Sequence, residues 1–435
     1  MDAEALARSV IARLRQASHQ AYLVGGCVRD KLRGVQPKDF DISTDARPDR
    51  IMDLFPNSGR VGAHFGVVLV RDVFAQVEVA TFRSDYDYDD GRRPSTVHFE
   101  TDARADVLRR DFTINGLMMD PDTGRVLDYV EGQADLERRL VRAIGDPDER
   151  FREDHLRLLR AVRFAARLGF AIEEATFAAM ERHHALILRV SAERVRDELV
   201  RILTEGGARY GFELLDKSGM LRDLLPEVAA MHGVEQPPEY HPEGDVWVHT
   251  LGLLERLNHP TPTLAMGALL HDVGKPPTFR VAERIRFDGH AEAGVEMAHG
   301  ILNRLRFSRD EMERVESLVG NHMRFMDVSR MKDSTLKRFL RLPGFEEHLE
   351  LHRLDCQAGS GYMGNYELVR RALAEMPPEQ LKPEPLVTGR DLIAAGYRPG
   401  PLFSEILEAV EEAQLDGRLN SAGEAMAWVR NRWTV

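Results

Sequence analysis

The feature that most constrains this chain is a change of hydrophobic period at Gly145-Asp146-Pro147. From Ala21 to about Ile144, short β-like runs alternate with turns: Tyr22-Leu23-Val24, Val67-Val68-Leu69-Val70 and Gln76-Val77-Glu78-Val79-Ala80-Thr81-Phe82. Beyond it, apolar residues recur three and four apart, as in Leu156, Leu159, Val162, Phe164-Ala165 and Leu168, before a stop at Gly169. The expectation is a multidomain α+β chain, with a small α/β domain first and helices thereafter. At 435 residues it exceeds one core, given roughly 100–200 residues per domain. Pro-rich breaks at Gln236-Pro237-Pro238 with His241-Pro242, and at Lys382-Pro383-Glu384-Pro385, mark joints. The expected divisions are 1–144, 145–235, 245–360 and 375–435.

No apolar run approaches the roughly 20 residues that span a bilayer, so no membrane is expected as a partner. Met1 to Gln16 is amphipathic and opens with Asp2 and Glu4, without the basic region followed by an apolar one of a signal peptide, which points to the cytoplasm. Cys27 and Cys356 are the only cysteines, too few for a disulfide framework or a cysteine zinc cluster. The net charge of −12 opposes nucleic-acid binding on its face. Its distribution does not, because arginines crowd between Arg104 and Arg201 whereas Glu405 to Glu412 is acidic. One basic face on an acidic molecule suits RNA bound on one side.

Gly25-Gly26-Cys27-Val28-Arg29-Asp30 follows an apolar strand and leads into a helix, so backbone amides at the turn can approach a phosphate without interference from Cβ. In Lys38-Asp39-Phe40-Asp41-Ile42 the period of two puts the carboxylates of Asp39 and Asp41 on one side of a strand. Paired carboxylates repel unless a cation joins them, and hard oxygen ligands suit Mg²⁺. Glu78, mid-strand among apolar neighbours, is a third candidate.

These motifs in this order resemble the nucleotidyltransferases of the polymerase-beta-like superfamily, specifically the bacterial-type (class II) tRNA nucleotidyltransferases and their poly(A) polymerase relatives. Arg109-Arg110-Asp111-Phe112-Thr113-Ile114-Asn115-Gly116 is similar to the family's Arg-Arg-Asp-Phe-Thr block, which implies that Arg110 contacts the nucleotide beside Asp111, Gly25, Gly26, Arg29 and Asp30. Asp85-Tyr86-Asp87-Tyr88-Asp89-Asp90-Gly91-Arg92-Arg93-Pro94 is similar to the loop that members need for adding A. Gly62-Ala63-His64-Phe65-Gly66-Val67 looks more like the tRNA type than the poly(A) type. The resemblance implies a nucleotidyltransferase head, then helical neck, body and tail. It implies catalysis by Asp39, Asp41 and Glu78 through two metal ions. One would activate the attacking 3′-hydroxyl and the pair would stabilise the leaving pyrophosphate.

Phe151 to Arg163 reads as one helix on which Asp154, Arg157, Arg160 and Arg163 repeat every three residues and share a face. A carboxylate accepts from an exocyclic amine while a guanidinium donates to a ring acceptor. C and A share that pattern, whereas G and U present a carbonyl where the amine should be. The stretch resembles the family's Glu-Asp-x-x-Arg-x-x-Arg helix, which implies base reading by Asp154 and Arg157 with Arg160 and Arg163 in support. His155 stands where proline is common, with no loss expected.

A second constellation is His249, His271-Asp272-Val273-Gly274-Lys275 and Asp355. Adjacent His271 and Asp272 at the end of an apolar helix call for a cation, and imidazoles with carboxylates suit Mn, Fe, Ni, Zn or Mg. The segment is similar to the HD phosphohydrolase domain, with its four metal-binding positions occupied, and His290 and His322 fall where some such enzymes hold a second metal. Relatives with this domain include some active on cyclic or 2′-phosphates and some inert. Leu386 to Ile393, Gly396 to Leu402 and Leu415-Asp416-Gly417 resemble the family's tail.

The resulting expectation is addition of CCA to the 3′ end of tRNA from CTP and ATP, with no DNA partner. An A-adding enzyme and a poly(A) polymerase share the same catalytic residues. A reading of another class makes the head a non-catalytic RNA-binding module and the HD domain the enzyme. Intact Asp39 and Asp41 weigh against it, since a binding module gains nothing from unneutralised paired carboxylates.

Overall fold

A computed structural model describes residues 2–60, 66–86, 96–239 and 241–434. The expectations that rested on residues 62–65 and 87–94 lie outside the described residues. Contacts divide the chain into two compact units, Met1–Ala229 and Ala230–Val435.

The first unit is built on strands β1 Ala21–Val24, β2 Asp41–Thr44, β3 Ser58–Arg60, β4 Val67–Arg71 and β5 Gln76–Thr81, a separate hairpin of β6 Arg83–Tyr86 and β7 Thr96–Phe99, then β8 Leu117–Met119 and β9 Val126–Asp128. Seven of them form one mixed sheet in the order β3-β4-β5-β2-β1-β8-β9. The alternation read in the sequence sorts side chains between the faces. Leu23, Ile42, Val68, Val77 and Val79 join Leu6, Val10, Ile11 and Leu14 of the helix Ala3–Gln16 in one core. Val24, Phe82 and Met118 pack on the other face with Ala103 and Val107 of the helix Ala103–Leu108. Asp41 stands directly opposite Val24 on β1 and Glu78 on β5, so both carboxylates lie on this second face.

Helices follow, with two short strand pairs, Leu140–Val141 with Ala171–Ile172 and Arg280–Val281 with Ile285–Arg286, that the helical pattern did not announce. Arg157–Leu168 buries Leu158, Leu159, Val162 and Ala165 and ends at Gly169, whose φ of 64° is the left-handed stop that glycine favours.

In the second unit the helices Val246–Glu255, Pro262–Leu270, His290–Arg304, Arg309–Asn321 and Phe345–Ala358 carry the histidine-rich segments. Pro262–Leu270 is buried from Thr263 onward, as its apolar run Leu264 to Leu270 requires. Leu392, Ile406, Val410 and Val429 form a separate core of the last helices. No helix of the described residues is long and apolar enough to cross a membrane.

Candidate active site and metal centre

At the head site, Gly25 sits at φ 75°, and a Cβ there would lie 3.6 Å from Arg110 Nη1. The turn needs glycine for its backbone and for room above this guanidinium. Arg110 is held from below: its Nη2 donates to Asp106 Oδ2 at 2.8 Å and to Ser43 Oγ at 3.1 Å. Its buried Nε has no partner, an unspent donor beside the carboxylates. Burial would raise the Asp106 carboxyl, but Arg110 and Arg109 outweigh it and hold it at about 2.

Asp41 keeps accessible surface, yet its carboxyl is set into the sheet face. That burial, then the Glu78 carboxylate, push it up to about 6, with Arg110 opposing and Asp39 adding to the rise. The site therefore holds more negative charge than its side chains neutralise, and its hard oxygen donors fit a divalent cation. Two corrections to the strand reading follow. Asp39 precedes β2, which starts at Asp41, so the two do not stand on one strand. Among the described residues, the trios of His, Cys, Asp or Glu ligand atoms within 4.8 Å of one another all lie in the second unit, so Asp39, Asp41 and Glu78 do not form one.

Arg29 faces inward and is 2% exposed. Its Nη1 donates to Asn115 Oδ1 at 2.8 Å and its Nε to Asp30 Oδ1 at 2.9 Å. Asn115 in turn donates to Asp111 Oδ1 at 3.2 Å, and Asp111 Oδ2 accepts from Arg160 Nε at 2.8 Å and Nη2 at 2.5 Å. Burial opposes the charge on Asp111, but Arg160 wins and lowers it to about 2. This buried chain ties the glycine turn to the helix Arg157–Leu168. The Arg29, Arg160 and Arg163 guanidiniums all lie over the Phe164 ring, at 5.5, 5.3 and 4.3 Å from its centroid.

The single helix expected over Phe151–Arg163 is broken. Pro147–Glu153 ends at Asp154, whose φ of −137° and ψ of 104° are extended, and a new helix starts at Arg157. Asp154 therefore does not share a helical face with the arginines. Its carboxylate is bonded by Arg194 Nη2, at 3.2 and 3.3 Å. Arg157 donates to Glu153 Oε2 at 2.6 Å and to the Arg109 carbonyl at 3.1 Å, and Arg163 to Glu198 at 2.6 Å. Sequence reasoning missed Asp106, Asn115 and Arg194 as site residues. Asp106 had a local signal in its spacing of three and four from Arg109 and Arg110. Arg194 had none, being forty positions from Asp154.

In the second unit six candidates converge. His249 Nε2 lies 3.0 Å from Asp355 Oδ1 and 3.4 Å from His271 Nε2, and His271 Nε2 lies 3.1 Å from Asp272 Oδ2. The other Asp272 oxygen faces His290 Nε2 at 3.8 Å and His322 Nε2 at 3.7 Å. His290 and His322 are both buried. Burial works against charge on His249, but Asp355 and Glu243 raise it to about 9. Burial lowers His322 to about 4, leaving a neutral imidazole. Asp272, buried, and Asp355, half-buried, are held well below the ordinary carboxylate range by the histidines and, at Asp272, by Lys275. Four imidazoles and two ionised carboxylates are a donor set that fits a divalent cation.

The family described as Poly A polymerase head domain matches residues 21–142, the probable RNA and SrmB-binding site of polymerase A matches 169–231, and the HD domain matches 245–354. A CCA-adding enzyme of Levilactobacillus brevis is 33% identical over 423 residues, 97% of this chain and 96% of that protein. The chain belongs to the CCA-adding enzyme family. Another CCA-adding enzyme, from Geobacillus kaustophilus, is 32% identical over 428 residues, 98% of this chain and 96% of its own. The crystal structure of the Bacillus stearothermophilus CCA-adding enzyme in complex with CTP shares the fold with a TM-score of 0.77 at 27% identity, over 98% of this chain and 96% of that one. Membership of the CCA-adding enzymes accounts for the polymerase head, the helices after it and the HD segment in one chain.

Proposed function

We propose that this chain adds C, C and A to the 3′ end of tRNA, taking CTP and ATP as substrates, with chemistry in the head and base choice at the start of the neck. The observation that carries it is the charge arrangement of the head: Asp41 and Glu78 opposite each other on β2 and β5, Asp39 at the entry to β2, and Arg110 with a free buried donor beneath Gly25. Mg²⁺ ions held by Asp39 and Asp41 would supply activation of the 3′-hydroxyl and charge neutralisation at the leaving pyrophosphate. Glu78 adds to the negative field, and Arg110 offers its donor to a phosphate oxygen. Gly25 and Gly26 let the triphosphate approach the backbone, braced by Arg29, Asp30 and Asp111.

Asp154 and Arg157 read the base. Asp154 is anchored by Arg194 Nη2 and accepts from the exocyclic amine that C and A share. Arg157 donates to the adjacent ring acceptor, while Arg160 and Arg163 hold the helix to Asp111 and Glu198. The divisions at 1–144, 145–235, 245–360 and 375–435 serve as head, neck and body, HD domain and tail, in a cytoplasmic protein.

The test is incubation with Mg²⁺ and three tRNAs, ending before C74, after C75, or complete, with CTP and ATP given separately and together. Addition of C, C and then A with a stop is expected. Addition of A alone, only to the tRNA ending in C75, would make the chain an A-adding specialist, and unlimited A addition a poly(A) polymerase.

The convergence of His249, His271, Asp272, Asp355, His290 and His322 supports a second activity, metal-dependent phosphoester hydrolysis. Divalent transition metals or Mg²⁺ would supply a hydroxide nucleophile there at neutral pH. Release of p-nitrophenol from bis-p-nitrophenyl phosphate with Mn²⁺ or Ni²⁺, lost in His271→Ala, tests it, and equal rates in the two proteins would sink it.

A further inference from the structure

The four imidazoles of the C-terminal centre share one orientation, with Nε2 turned inward and Nδ1 outward. In three of them Nδ1 meets a backbone carbonyl three residues back: His271 to Ala268 at 3.0 Å, His290 to Phe287 at 2.8 Å and His322 to Val319 at 2.6 Å. A carbonyl only accepts, so each Nδ1 carries the proton and each Nε2 keeps a lone pair for a cation.

His249 is the exception. It lies near the start of the helix Val246–Glu255, where the Asp245 carbonyl accepts the His249 amide and the Val246 carbonyl accepts Thr250 Oγ1 at 2.9 Å. Its Nδ1 faces Glu243 Oε1 instead, at 2.6 Å. The same oxygen meets His241 Nδ1 at 2.9 Å, and Glu243 Oε2 is buried without a partner. The loop before the helix thus brings a carboxylate into this centre with one oxygen bonded twice.

We propose that Glu243 is a positioning residue of this centre: it holds the His249 ring with Nδ1 protonated and Nε2 aimed at His271 and Asp355, and His241 fixes the Glu243 carboxylate in place. The inference rests on the reading of the centre as a divalent-cation site. A carboxylate behind a ligating imidazole fixes the tautomer and raises its basicity, and losing such a partner weakens metal affinity by about 10–100-fold. A leucine at 243 removes both effects. A glutamine keeps an acceptor for Nδ1 but not the charge.

The test is titration of the full-length chain with Co²⁺, followed by visible d–d absorption, with Asp272→Ala as the blank that removes the head's contribution. Glu243→Leu is expected to raise the apparent Kd by about 10–100-fold at unchanged stoichiometry. Glu243→Gln falls between it and the parent protein. Nucleotide addition by the head is retained in both variants, and the unchanged stoichiometry of Co²⁺ reports that the second unit is folded. Equal affinity in all three proteins overturns the inference, as does loss of a bound equivalent, which would make Glu243 a ligand. Absence of any Asp272-dependent absorption in the unaltered chain overturns the cation reading itself, and the inference with it.

Discussion

Arg194 reaches from the helix Ala192–Thr204 to bond both carboxylate oxygens of Asp154, at 3.2 and 3.3 Å, across the break between two neck helices. Its second terminal nitrogen, Nη1, is buried without a partner. Asp154 is thus held by a residue on another helix and not by the arginines that follow it in sequence.

The Asp154→Ala variant is expected to blur discrimination against G and U. Removing one partner of a paired base contact forfeits about 1–3 kcal/mol of selectivity. Arg194→Ala should move the same ratios less, because the carboxylate remains but loses its anchor. The check is kcat/KM for CTP against UTP and ATP against GTP. Ratios unchanged in both variants would remove Asp154 from base reading.

Addition should fall at least about 10³-fold in Asp41→Ala and in Asp39→Ala, about 4 kcal/mol at roughly 1.36 kcal/mol per decade. Asp41 already carries a raised carboxyl because burial and Glu78 oppose its charge, so its removal relieves repulsion and leaves the fold intact. Single-turnover addition and a thermal melt measured together decide the matter. Wild-type rates in either variant would refute the assignment.

Acid should act on Asp106 in a defined window. Its folded carboxyl is held at about 2, below the ordinary value of about 3.9. The unfolded chain therefore takes up the proton first as pH falls, so the stabilisation is full above about pH 4 and drains away between there and 2. Asp106→Asn should be less stable at pH 7 and lose less on acidification. Carbon-13 titration of Asp106 giving an ordinary value would contradict this.

Asp272 faces the two histidine groups with different oxygens. Its replacement by Ala should abolish the high-affinity Co²⁺ absorption of the second unit while tRNA addition continues at the parental rate. Parallel loss of addition would mean that the two activities are linked.

Local order was legible in the sequence because its causes are local. Period two in 76–82 specified β5 and which side Glu78 takes; the apolar run before His271 specified a buried helix; Gly25 and Gly169 marked positions needing positive φ. The glycine turn, the two acidic residues and the Arg-Arg-Asp block together indicated the head chemistry, since few other uses exist for paired carboxylates beside a phosphate-sized turn. The sequence alone thus determined the α+β order, the kinds of site and the family.

Tertiary structure decided who partners whom. Period three from Asp154 to Arg163 read as one helical face, yet the chain bends at Asp154 and Arg194 supplies its partner. Asn115 links Arg29 to Asp111, and Glu243 serves His249, through contacts that no spacing rule reports. The physical reason is that a buried charge must find compensation somewhere in space, while sequence periodicity records only which face of its own element a residue occupies.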